Sequence, residues 1–188
     1  MKRIAILAVA AGLALPAFAA PETYVIDSNH TKPRFEYNHF GYSTQSSRFD
    51  TVTGKITIDR AAKTGSADVS IDVKSVDTGS DVFNGHLKGE DFFDAEKYPT
   101  ITFKSSAFKF EGDKPVAIEG TLTSKGVSKP VTLAVTSFQC MPHPLAKKDA
   151  CGANATAKIK RSDFNNGKYA PYVSDEVTLI IPVESIKE

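Results

Sequence analysis

From residue 67 to residue 74 apolar and polar side chains alternate without a break: Ala67, Val69, Ile71 and Val73 against Asp68, Ser70, Asp72 and Lys74. A period of two is the period of a β-strand, whose successive side chains leave opposite faces of the sheet. The pattern recurs along most of the chain. It is carried by Phe35, Tyr37 and His39, by Ile56 and Ile58, and by Ile101 and Phe103. It returns in Val116, Ile118, Gly120 and Leu122, and then in Val131, Leu133 and Val135. Ala155, Ala157 and Ile159 follow, and Val177, Leu179, Ile181 and Val183 close the chain. Phe108 and Phe110 flank an expected bend near Ser105-Ser106. Turns are expected at Lys63-Thr64-Gly65, Glu111-Gly112-Asp113 and Lys125–Pro130. Eight to ten short strands joined this way make a sandwich or an up-and-down barrel. A single closed sheet explains directly why nearly every strand has one apolar face, and closure removes exposed edges. Eight strands enclose room for one small ligand. The expected fold is therefore all-β, an antiparallel up-and-down barrel of about eight strands. The faces bearing Phe35, Tyr37, Val69, Ile71, Ile101, Phe103, Leu122, Leu133, Leu179 and Ile181 are predicted to point inward.

One stretch breaks the alternation, Val82 to Pro99. Ser80 or Asp81 can cap a short helix there. Val82, Phe83, His86 and Leu87 then share one helical face, while Gly85 and Gly89 keep the helix short and irregular. Phe92 and Phe93 sit between Asp91 and Asp94, and Tyr98-Pro99 returns the chain to extended geometry. The plain reading is a crossover covering one end of a sheet. The sharper one is a lid over an apolar cavity, with His86 at its mouth.

The N-terminus reads as a secretory leader. Met1-Lys2-Arg3 is basic, Ile4 to Leu15 is apolar, and Pro16-Ala17-Phe18-Ala19 supplies small residues for cleavage after Ala19. The apolar run is too short for a membrane span, which takes about 20 residues, and no later run qualifies. Residues 20–188 are expected to form one domain. With the leader and its Lys2 and Arg3 removed, the chain is close to neutral and has no basic block, so nothing points to nucleic acid. Cys140 and Cys151 are the two cysteines of an exported chain, and a disulfide is the expectation. With His143 they make only three metal ligands at no standard zinc spacing, so no metal is expected.

Further residues point to a family. His86-Leu87-Lys88-Gly89-Glu90-Asp91-Phe92-Phe93-Asp94, followed by Tyr98-Pro99 and Phe103-Lys104-Ser105, resembles the signature of the YceI-like family. Tyr24-Val25-Ile26-Asp27 with His30 and Phe35, Gly126–Val131, and Lys160–Phe164 fit as well, so the resemblance covers about residues 24 to 184. It implies a lipocalin-like barrel with a long apolar pocket. It also implies binding of an isoprenoid lipid, a polyprenyl chain or a quinone tail, in the bacterial periplasm. Expected ligand contacts are Phe35, Tyr37, Val69, Ile71, Ile101, Phe103, Leu122, Leu133 and Leu179 on the wall, with His86, Phe92 and Phe93 at the lid. A homodimer is expected by analogy alone. The long cysteine-bounded loop departs from the simplest members, and a loop near a barrel mouth could change ligand entry.

No nucleophile elbow, HExxH or phosphate-cradling glycine loop is present, and no catalytic residue or cofactor is expected. His30 and His39 read as structural or rim residues; His86 reads as a head-group partner or a helix cap. Lys88 and Arg161 could meet a pyrophosphate, but a solvated face is the stronger reading. Three functions stay open. A lipid carrier needs a hollow barrel. A periplasmic enzyme on a lipid-like substrate needs a clustered His–acid pair. A ligand-free stress-response or interaction module needs a barrel filled by its own side chains.

Overall fold

Every strand interior needs hydrogen-bond partners on both sides, and a sheet without ends supplies them only by closing. The computed structural model describes residues 20–188, and in it the sheet closes; the leader assigned to residues 1–19 lies outside the described residues. Three bent staves open the chain. The first is β1 (Glu22–Ile26) and β2 (Arg34–His39), the second β3 (Ser43–Phe49) and β4 (Val52–Asp59). The third is β5 (Thr64–Asp72) and β6 (Val76–Asp77), joined by a 3₁₀ turn at Val73–Ser75. Helix α1 (Asp81–Lys88) follows. Five unbroken strands complete the ring: β7 (Thr100–Glu111), β8 (Lys114–Ser124), β9 (Val127–Pro142), β10 (Asp149–Lys160) and β11 (Glu176–Lys187). All pairings are antiparallel between successive staves, and β11 returns to both β1 and β2. The result is the closed eight-stave barrel the alternation predicts.

Where β1 leaves β11 and β2 has not yet begun, Thr31 replaces the missing rungs. Its hydroxyl donates to the Glu184 carbonyl (3.1 Å) and accepts from the Glu184 N–H (3.0 Å). At Gly54 in β4, φ is +148° and an added Cβ would stand 2.2 Å from the Asp68 carbonyl oxygen, so only glycine allows that approach. The bend expected near Ser105-Ser106 is a bulge in β7: register shifts between Ser105 and Ala107, which carries Ile101 and Phe103, then Phe108, inward.

Three expectations need correction. The turn expected over Lys125–Pro130 is only Lys125-Gly126, with Ser124 paired to Val127. Both turn residues take positive φ (47° and 75°), the geometry that matches strand twist in a two-residue hairpin. Pro130 lies within β9 opposite Thr121, so sheet pairing overrides its tendency to stop a strand. The cysteine segment is not a long loop but an extension of the β9–β10 hairpin, with Cys140 directly opposite Cys151. In α1, Ser80 occupies the N-cap position without a capping side-chain bond. Instead the Asn84 side-chain oxygen accepts from the Thr78 N–H and hydroxyl, and only Leu87 of the helix is buried.

Two buried clusters divide the interior. One joins Phe35, Phe49, Val73, Val76, Leu87, Ala95, Ile101 and Val177 beneath the crossover. The other, Ile58, Ala67 and Phe108 with Phe110 and Phe138 against it, lies toward the opposite end. Between them the barrel is hollow.

Candidate functional site: an apolar cavity with an aromatic mouth

The ten residues predicted to face inward all line one cavity of about 930 Å³. Phe35 and Tyr37 come from β2, Val69 and Ile71 from β5, Ile101 and Phe103 from β7. Leu122 comes from β8, Leu133 from β9, and Leu179 and Ile181 from β11. Alternation places them there: each stave offers every second residue to the inside. The deeper wall is apolar, with Ile56, Ile118 and Val131 beside these residues. His39, His86, Glu90, Asp91 and Asn166 line the cavity from the segments at its mouth.

Three segments form that mouth: the β2–β3 turn, α1 with the following loop, and the loop between β10 and β11. The crossover folds back on itself through hydrogen bonds from the Phe93 N–H to the Leu87 carbonyl and from the Ala95 N–H to the Lys88 carbonyl. This drives the Phe93 ring between Phe35 and Phe49, edge-on to both at 5.7 and 5.5 Å between centroids. Phe92 instead stacks on Tyr169 at 6.0 Å across the mouth. The two rings therefore differ in role: Phe93 anchors the crossover in the barrel and Phe92 belongs to the lip. Lys125 Nζ donates to the Glu90 carbonyl, and Lys168 pairs with Asp91 at 2.5 Å, tying the crossover to its neighbours on both sides. The Asp91 carboxylate holds the Lys168 ammonium pKa above its ordinary value.

The solvated-face reading of Arg161 does not hold. Only 8% of it is exposed. Its guanidinium donates to the carbonyls of Ser174, Asn166, Lys168 and Val173, so it is committed to folding the 165–175 loop. Burial pulls its pKa down, and the nearby Asp175 carboxylate opposes this. Asn166 on the same loop has its side-chain oxygen buried with no partner among the described residues. Sequence reasoning missed this loop as the second lip, along with Phe40, Asn166 and Tyr169. The aromatics around Pro171, close after a family motif, were its only signal.

The histidines separate. His39 lines the cavity, pairs with Val173 in an isolated bridge and packs against the Phe40 ring at 4.6 Å. His86 is exposed at the mouth, edge-on to Phe83. His30 is paired with Asp27 (Nδ1 to Oδ2, 2.6 Å); the partners raise the His30 pKa and lower that of Asp27. His143 Nδ1 accepts from the Leu145 and Ala146 N–H groups and so shapes the hairpin tip. Cys140 and Cys151 are joined to each other, with Cα atoms 4.1 Å apart. Cys151 pairs with Ser185, near the β1 end of β11, whereas the mouth lies by Glu176 at the other end of that strand. The insert thus extends the barrel away from the mouth.

The profile of the YceI-like domain matches residues 24–185. The chain belongs to the YceI-like family. Protein YceI of Escherichia coli O6:H1 is 38% identical over 175 residues, spanning 90% of each chain. Among solved structures, the YceI-like barrel here is similar to Burkholderia cenocepacia BcnA, with a TM-score of 0.73 and 30% identity over 85% of this chain and 98% of that one. A polyisoprenoid binding domain from Saccharophagus degradans shares the fold at a TM-score of 0.65 and 20% identity, covering 88% of this chain and 98% of that one. No described helix of this YceI-like chain is long and apolar enough to cross a membrane.

Proposed function

We propose that this protein is a periplasmic carrier that holds an isoprenoid lipid, a polyprenyl chain or a quinone, inside its barrel for transport, storage or sequestration. The observation that carries the reading is the cavity of about 930 Å³, apolar in its depth and open where polar side chains gather. Such a shape suits a ligand with a long hydrocarbon tail and one polar end. At about 30 Å³ per heavy atom, water's share of its own liquid, the cavity takes about 30 atoms. Each methylene moved out of water is favourable by about 0.8 kcal/mol, so tight retention needs no covalent chemistry. The Saccharophagus domain, which binds a polyisoprenoid, has the same fold. The leader and the disulfide favour an oxidising compartment outside the cytoplasm.

In this reading the tail lies against Phe35, Val69, Ile71, Ile101, Phe103, Leu122, Leu133 and Leu179. Tyr37, His86, Phe92 and Phe93 border the head. A module without ligand would need a barrel filled by its own side chains, and the hollow interior weighs against it. The test is mass spectrometry of organic extracts from gently purified protein, beside a Leu133→Trp variant that fills the interior. Wild type is expected to carry a prenyl lipid and to melt higher when quinone or polyprenyl lipid is added; the variant is expected to do neither. Wild type that carries nothing and gains no stability would refute the carrier.

A further inference from the structure

Nine large apolar side chains are exposed among the described residues, and six of them surround the mouth. Phe40 and Tyr42 sit on the β2–β3 turn, Val82 and Phe83 on α1, and Tyr169 and Tyr172 on the β10–β11 loop. Tyr42 is 88% exposed, Val82 72% and Tyr172 67%. Exposed apolar groups scattered singly need no explanation, but six around one opening do. Two of the three segments are joined there: Phe40 stacks on Tyr172 at 5.9 Å, and the Phe40 N–H donates to the Tyr172 carbonyl. This rim is also continuous with the interior, because Phe40, Val82, Phe83 and Tyr169 line the cavity as well as facing outward.

We infer that this rim docks the open end of the barrel on a lipid bilayer, so that cargo passes between membrane and cavity without crossing water. The inference rests on the carrier reading, since the cargo it assigns resides in a bilayer. Charge argues for an apolar contact. The charged side chains on α1 and the loop after it include Asp81, Lys88, Glu90 and Asp91, and Lys168 across the mouth is already paired with Asp91. Acids and bases are thus mixed along this edge, with no basic cluster among its described residues to seek anionic head groups. Tyrosine and phenylalanine rings together, with a polar tip on the former, are the side chains that settle at the boundary between head groups and acyl chains. The exposed apolar groups on the far hairpin, Met141 and Leu145, have no such continuity with the cavity.

The experiment is flotation of the full mature protein with phosphatidylcholine vesicles. Wild type is expected to float with them. Binding should persist when salt rises from about 0.1 M to about 1 M, where the screening length falls to roughly 3 Å, and should not need anionic lipid. Tyr42→Ser combined with Tyr172→Ser should weaken binding about tenfold or more. Neither side chain lines the cavity, so the variant should still gain thermal stability from quinone or polyprenyl lipid added directly, as wild type does. Met141→Ser combined with Leu145→Ser should bind as wild type does. Three results would overturn the inference: wild type that ignores vesicles, binding that requires anionic lipid, or sedimentation showing that a second copy of the chain covers the rim. Protein that carries lipid yet ignores vesicles removes the docking surface and leaves the carrier standing. Protein that docks through these tyrosines yet carries no lipid does the reverse.

Discussion

Replacing Arg161 by methionine keeps most of the side-chain volume and removes every donor of the guanidinium. Four carbonyl contacts disappear, those to Ser174, Asn166, Lys168 and Val173. A hydrogen bond to a charged group contributes about 1.5–3 kcal/mol net, so the gross loss is on the order of 6–12 kcal/mol. Two effects offset it. Desolvating a guanidinium costs several kcal/mol, a cost the variant no longer carries. Several residues of the loop, Lys168 and Tyr169 among them, are exposed or half-buried, and some freed carbonyls will find water. Buried charges can often be exchanged for apolar groups without loss when both partners change. Here the acceptors are backbone and stay behind. The expected cost is therefore about 3–5 kcal/mol, the range for breaking a buried pair. Urea unfolding measures it, and hydrogen exchange should place faster opening in residues 165–175. Arg161→Lys should recover only part, because an ammonium cannot reproduce the planar fork. A methionine variant within about 0.5 kcal/mol of wild type, the range of an inconsequential surface change, with unchanged exchange in that loop, would refute the reasoning.

Other outcomes follow from the same geometry. Cys140→Ser with Cys151→Ser should cost slightly under about 3 kcal/mol, by loop entropy, and leave lipid content unchanged because the staple lies away from the mouth; unfolded, unreduced wild type should show no free thiol. Phe93→Ala should cost about 2–4 kcal/mol, from a partly buried truncation and two lost edge-on ring contacts, and should reduce co-purified lipid. Lys97→Ala, at an exposed site, should change neither by a measurable amount, and equal retention in the two variants would remove Phe93 from the lid. His86→Ala should alter head-group preference, read as the ratio of lipid species bound, while the melting temperature holds. Burial, aided by a hydrogen bond to Glu22, raises the Tyr24 pKa from 10.0 to about 12. The folded state favours the neutral phenol, so its stabilisation is full below pH 10.0 and is lost as pH rises through about 12. Ultraviolet titration should show one of the six tyrosines ionising last, and Tyr24→Phe should abolish that step.

Much of the site could be read from alternation because a barrel converts parity into location. Val69 and Ile71 had only to share a face to share the cavity, and the bend expected near Ser105-Ser106 is the bulge in β7. Cys140 and Cys151 were legible because two cysteines in a chain expected to be exported have a simple default. The misreadings have local causes. Pro130 suggests a turn, yet pairing with β8 holds it in a strand. Arg161 reads as a surface cation because a sequence does not display the carbonyls that surround a side chain. Phe92 and Phe93 are neighbours of one chemistry, and only the fold-back of the crossover sends one inward and leaves the other at the lip.

The sequence by itself determined the strand periods, the apolar face of each stave and the break that makes the crossover, because these depend on spacing along the chain. It determined the family through motifs kept in order. Tertiary structure decided which end of the barrel is open, where the cysteine hairpin lies relative to it, and that three distant segments meet as one aromatic rim. Those outcomes depend on how β11 closes against β1 and β2, a relation between residues more than a hundred positions apart that no local pattern encodes.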